Sequence, residues 1–151
     1  MDTQHAAQAR RRECLFLCEA YSNTIKALAP ANWVLVVGAA LLSLAAGTTI
    51  LTKTTLITTT VAGILALISG ALTIIHTKLG CDSYQAECKK LLSFYRGLAV
   101  DYDNLRFIPE ADRPGRFSAL NDQFSASVKH ATASPFKWAR RKAHAPDDAQ
   151  A

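Results

Sequence analysis

WVLVVGAALLSLAAGTTIL (residues 33–51) and LITTTVAGILALISGALTII (residues 56–75) carry no charged side chain, and the one charge between them is Lys53. As helices they are about 19 and 20 residues long. The first rises roughly 28 Å, close to the ~30 Å hydrocarbon core of a bilayer. The composition of the whole chain hides this, because 50% hydrophobic and 19% charged residues describe an ordinary soluble protein. The charge sits instead in the flanks. Two buried helices of a soluble core are the alternative, but uncharged runs of this length suit lipid better. A cleaved signal peptide fits less well: some 30 residues precede the first run, which exceeds the usual 7–15, and no A-x-A-like site follows.

Working outward, Arg10, Arg11, Arg12 and Lys26 precede the first run, and the basic residues from Lys78 to Lys142 follow the second. Lys and Arg mark cytosolic segments, so both termini are expected inside, with the Thr52–Thr55 turn outside. The fold class expected is an all-α membrane protein: a two-span transmembrane helical hairpin flanked by cytosolic amphipathic, coiled-coil-like helices. Its parts are an amphipathic helix over 1–30, the hairpin over 31–77 (spans about 33–51 and 56–76), and a cytosolic helix over 78–108 continuous with the second span. A turn and amphipathic helix over 109–133 and a flexible basic tail over 134–151 complete it.

The flanks carry helical periodicity. Cys14, Cys18, Tyr21, Ile25 and Leu28 share one face before Pro30, which is expected to break or kink the helix. After the hairpin, Cys81, Tyr84, Cys88, Leu91, Tyr95, Leu98, Tyr102 and Leu105 alternate spacings of three and four, an apolar packing seam of coiled-coil type. Gly80 and Gly97 are its weak points, and Gly80 is a candidate hinge. Counting helical rise from the membrane edge places Cys18 near Cys88 and Tyr21 near Tyr84. Beyond PEADRPGR (109–116), Phe117, Leu120, Phe124, Val128 and Ala131 line one side of a further helix.

Within the second run Thr59, Ala62, Ala66, Ser69 and Thr73 fall on one side, as Ser43 and Gly47 do in the first. Small-xxx-small spacing lets helices approach and Ser or Thr bond across. In an oligomer the same stripe could line a water-filled path, so packing and pore both stay open. No ionisable group lies within either run, which disfavours a proton relay or carrier.

The four cysteines lack the tight knuckles of zinc sites and suit small buried positions in a reducing cytosol. No phosphate loop, metalloprotease motif or nucleophile triad is present. The chain is expected to be no enzyme and to need no cofactor or metal. The basic clusters Arg10–Arg12 and KWARRK (137–142) suit an anionic leaflet better than a specific nucleic acid, and Phe136 and Trp138 beside the second suit an interface.

A cytosolic helix ending in EAYSNTIKAL (19–28), a two-span hairpin with a minimal turn, and the helix YQAECKKLLSFYRGL (84–98) together resemble the SLATT family of two-span bacterial membrane proteins over residues 10–108. That resemblance implies a pore-forming effector of the bacterial inner membrane acting in antiviral defence, and a homo-oligomer. It also implies a partner encoded by a neighbouring nucleotide-signalling gene. It carries no catalytic motif, and no fused sensor domain is expected. The expected mechanism is association through the Cys81–Leu105 seam and the small-residue faces. A non-conducting membrane anchor or scaffold is the alternative. A two-span ion channel ranks below both, because the turn lacks the acidic selectivity motif such channels carry.

Overall fold

The computed structural model describes residues 3–52 and 59–144. Every regular element among them is helical: α1 Thr3–Thr52, α2 Thr59–Leu79, α3 Cys81–Asn104, a 3₁₀ turn Leu105–Phe107, α4 Arg113–His130 and α5 Lys137–His144. Two of these helices are long and apolar enough to cross a membrane. The chain divides into two compact units. One is built from residues 3–26 and 84–144, the other from residues 27–52 and 59–83.

Two helix boundaries depart from expectation. Pro30 lies inside α1 and does not end it. A proline there removes one backbone hydrogen bond, at a cost of about 3 kcal/mol, which a helix packed along its length can absorb. The uninterrupted helix expected from the second span into 78–108 is broken instead at Gly80. This residue adopts φ +57°, its N–H bonds to the Thr77 carbonyl at 3.3 Å, and the Ser83 hydroxyl donates to the Gly80 carbonyl at 2.8 Å. Glycine takes the left-handed conformation without a Cβ penalty, so α2 ends there although no proline follows.

The first unit has a conventional core. Ala7, Cys14, Cys18 and Tyr21 of α1 share it with Cys88, Leu91, Tyr95, Leu98 and Tyr102 of α3, with Leu105, and with Leu120 and Phe124 of α4. Tyr95 sits at its centre: its ring stacks on Tyr21 at 6.0 Å and meets Phe124 at 5.8 Å, and Ser127 donates to its hydroxyl at 3.3 Å. The register differs from that given by counting rise, and α1 meets residues about one to three turns further along α3. The Cys18 thiol donates to the Leu92 carbonyl, Tyr21 stacks on Tyr95 rather than Tyr84, and all four cysteines are free. On α4, Leu120 and Phe124 point inward and Phe117 meets Tyr102, whereas Val128 faces out.

Residues 134–144, expected to be flexible, are built into this unit. Tyr21 donates its hydroxyl to the Ala133 carbonyl at 3.0 Å, and Tyr84 donates to the carbonyl of Ser134. The Phe136 N–H donates to Thr24 Oγ1 at 3.2 Å, and its ring stacks on Tyr84. Ala133, Ala139 and Ala143 are buried. Residues 145–151 of that segment lie outside the described residues, as do Lys53 and most of the turn between the two apolar runs.

Candidate functional site

In the second unit, α1 and α2 meet on a heptad pattern. On α1, Ala39 and Ala46 are buried, with Asn32 half-buried one heptad before them; on α2, Ala62 and Ser69 are buried, with His76 half-buried one heptad after. Ser69 Oγ donates to the Ala39 carbonyl at 2.7 Å, and His76 Nε2 lies 2.5 Å from Asn32 Oδ1. One heptad back along α1 and one forward along α2 leads from the first pair to the second. These contacts fix an antiparallel register, and the same step the other way sets Ala46 opposite Ala62. Small side chains at seven-residue intervals let two helices approach closely, and a serine bonded to the facing backbone pins the register.

One end of this interface is polar. Asn32 Nδ2 donates to Asp82 Oδ1 at 2.6 Å, and Asp82 Oδ2 stands 3.7 Å from His76 Nε2. With Nε2 donating to the Asn32 carbonyl oxygen, both ends of the asparagine amide are engaged. No spacing in the sequence announces this cluster, since its members lie on three helices.

The small-residue stripe therefore divides. Ala62 and Ser69 pack inside the hairpin, while Ala66, Thr73 and Ser43 face outward and Gly47 is half-buried. Thr59 opens α2, but its side chain lies outside those described. Thr73 and Thr77 donate back to the carbonyls of Ser69 and Thr73, at 3.0 and 2.9 Å, so their hydroxyl protons are satisfied within their own helix. Added Cβ atoms at Gly63 and Gly70 would meet nothing within 4 Å, so the hairpin itself does not require these glycines.

The packing seam is occupied from within. Cys88, Leu91, Tyr95, Leu98, Tyr102 and Leu105 are buried by the rest of the chain and Tyr84 is half-buried against Phe136, while Cys81 falls in the other unit. Its three-four spacing is taken up by a core inside one protomer.

The buried thiols and phenols are held neutral. Burial, reinforced by Cys18 and Glu13, pushes the Cys14 thiol up to about 12 against the opposing pull of Arg10. Burial likewise raises Tyr102 to about 12, with Cys14 adding to it. Cys18, Cys88 and Tyr21 are raised chiefly by burial too. A reactive cysteine needs the reverse, a stabilised thiolate, so these side chains serve packing. Among the described residues no group of three or more His, Cys, Asp or Glu side chains is placed to hold a metal ion. Compared with family models, with characterised proteins and with solved structures, the chain has no match.

Proposed function

We propose that the chain is a two-span protein of the bacterial inner membrane, with both termini cytosolic. In this proposal its hairpin associates with other copies and permeabilises the bilayer when the folded unit outside it is engaged. The observation that carries this reading is the inverted polarity of the hairpin. The buried positions are held by Ala39, Ala46, Ala62 and Ser69, while eleven large apolar side chains, from Trp33 to Ile75, face out; Leu67 is 76% exposed and Leu44 64%. Covering them is worth on the order of 10–20 kcal/mol, as much as the whole stability of an ordinary domain. Lipid supplies that cover. The outward face Gly63, Ala66, Gly70, Thr73 and Thr77, which the hairpin leaves open, suits close approach by a helix of another copy.

The resemblance to SLATT proteins supports the effector role, in antiviral defence and with a nucleotide-signalling partner. Induced expression in a bacterium, followed with a membrane-potential dye, tests conduction. Depolarisation that is lost in Ala66→Leu/Gly70→Leu is the expected result. An intact potential, with the neighbouring genes also expressed, would refute the pore.

The covered seam favours the second reading, a non-conducting anchor. A folded unit whose core is complete within one chain can recruit a partner without opening. In that case Ala66→Leu/Gly70→Leu leaves function unchanged, while surface changes on the folded unit abolish it.

A further inference from the structure

Arginines far apart in sequence converge on one cavity of the folded unit. It measures about 310 Å³ and lies between the first turns of α1 and the chain around the 3₁₀ turn. Arg11 and Arg12 reach it from α1, Arg106 from the 3₁₀ turn and Arg113 from the start of α4. Asp103 is the one carboxylate among the lining residues, and it is shared between Arg11 at 3.4 Å and Arg106 at 3.2 Å. Three positive charges are thus left without an opposing charge in the lining.

Arg113 is the most informative of the four. Its Nη2 donates to the Ile108 carbonyl at 3.0 Å, which holds the guanidinium in place. Its Nε is buried and has no hydrogen-bond partner among the described residues. A buried donor without an acceptor is costly, and four guanidiniums around one small space repel one another. An anion inside the cavity relieves the repulsion. Guanidinium forks match the oxygens of phosphate two at a time, and a cavity of this size is at the small end for ligands.

We propose that this cavity binds a small phosphate-bearing anion with two or more negative charges. Arg12 and Arg106 hold it from the open side, and the Arg113 guanidinium, fixed by its bond to the Ile108 carbonyl, adds its charge to the lining. The chemistry is shared by a soluble diphosphate and by the phosphomonoester headgroup of a lipid. The site belongs to the folded unit alone, so it stands whether or not the hairpin enters a bilayer.

The test uses the full chain purified in detergent free of phospholipid, with inorganic pyrophosphate and a short-chain phosphatidate as separate probes. Native mass spectrometry counts bound molecules, and thermal melts at constant ionic strength follow affinity. One probe bound per chain is expected, with affinity about tenfold or more weaker in Arg12→Gln/Arg106→Gln. Pyrophosphate binding without phosphatidate binding assigns a soluble ligand; phosphatidate binding that displaces pyrophosphate assigns a headgroup. Arg12 makes no ion pair among the described residues, so Arg12→Gln alone supplies a variant whose fold is unperturbed. If neither probe binds, or if binding is indifferent to both variants, the proposal is overturned.

Discussion

The two units solve the same packing problem in opposite ways. In the folded unit, large rings and aliphatic chains lie inside, with Tyr95, Leu105 and Leu120 almost fully buried, and charged side chains such as Arg11, Lys90 and Arg141 lie outside. In the hairpin, alanines and a serine occupy the interface, and leucines, isoleucines and valines cover the surface. The first arrangement gains stability by removing apolar surface from water. The second gains little that way, because its apolar surface remains outside; close backbone contact and the hydroxyl bond of Ser69 hold it instead. Helices that look alike in length and propensity are therefore adapted to different surroundings, and the difference is legible only in which face is large.

Substitutions that exchange the two logics test this contrast most sharply. Tyr95→Ala should have the largest effect, about 3–5 kcal/mol, because it empties the aromatic centre of the folded unit. Denaturant melts followed by circular dichroism should lose the first unit while hairpin helicity persists; loss of both together would break the distinction. Next comes a matched pair of new charges. Leu67→Lys should cost about 2.5–3.5 kcal/mol of membrane insertion, and Val100→Lys, on the exposed face of α3, less than about 0.5 kcal/mol. Carbonate extraction of membranes reads both, and equal behaviour would count against a lipid-facing hairpin.

A smaller effect is expected at the hairpin interface. Ser69→Ala deletes the bond to the Ala39 carbonyl and should weaken hairpin closure by about 0.6–1.5 kcal/mol. Cysteine cross-linking between positions 46 and 62 would detect it, and an unchanged rate would mean that small size alone sets the register. The smallest signal is a change of slope. The folded-state pKa of Cys14 lies above its ordinary 9.0, at about 12, so its contribution to stability is full below pH 9 and is lost as pH rises towards 12. Thermal melts of the first unit should fall over that window, and Cys14→Val should flatten the decline.

Much of the architecture could be read from the residues in advance, for definable reasons. Both apolar runs stand out because they hold no charge over about 20 residues, and the α3 seam stands out because its three-four rhythm is unbroken. What covers the seam was not legible. The segment over 131–136 docks through its carbonyls, to which Tyr21 and Tyr84 donate, and a backbone carbonyl leaves no mark in a sequence. The register of α1 against α3 depended on assumed membrane edges and an unbroken helix, while the turn at Gly80 interrupts that count. On the hairpin, a single direction on the helical wheel merged two neighbouring rows four residues apart, which the packing separates into Ala62 with Ser69 and Ala66 with Thr73. The arginine cavity was hidden because Arg12, Arg106 and Arg113 lie far apart along the chain.

The first unit is assembled from two stretches separated by the hairpin, and this has a consequence for how the chain is made. On the ribosome, the face bearing Cys14, Cys18 and Tyr21 emerges first, yet its partners run from Cys88 to Ala133. At 5–20 residues per second, roughly 6–24 s pass between synthesis of residue 26 and residue 144. Through that interval the newborn helix must carry its sticky side uncovered. Protection by a chaperone, or delivery of the hairpin to its destination before the two stretches meet, becomes a requirement of biosynthesis.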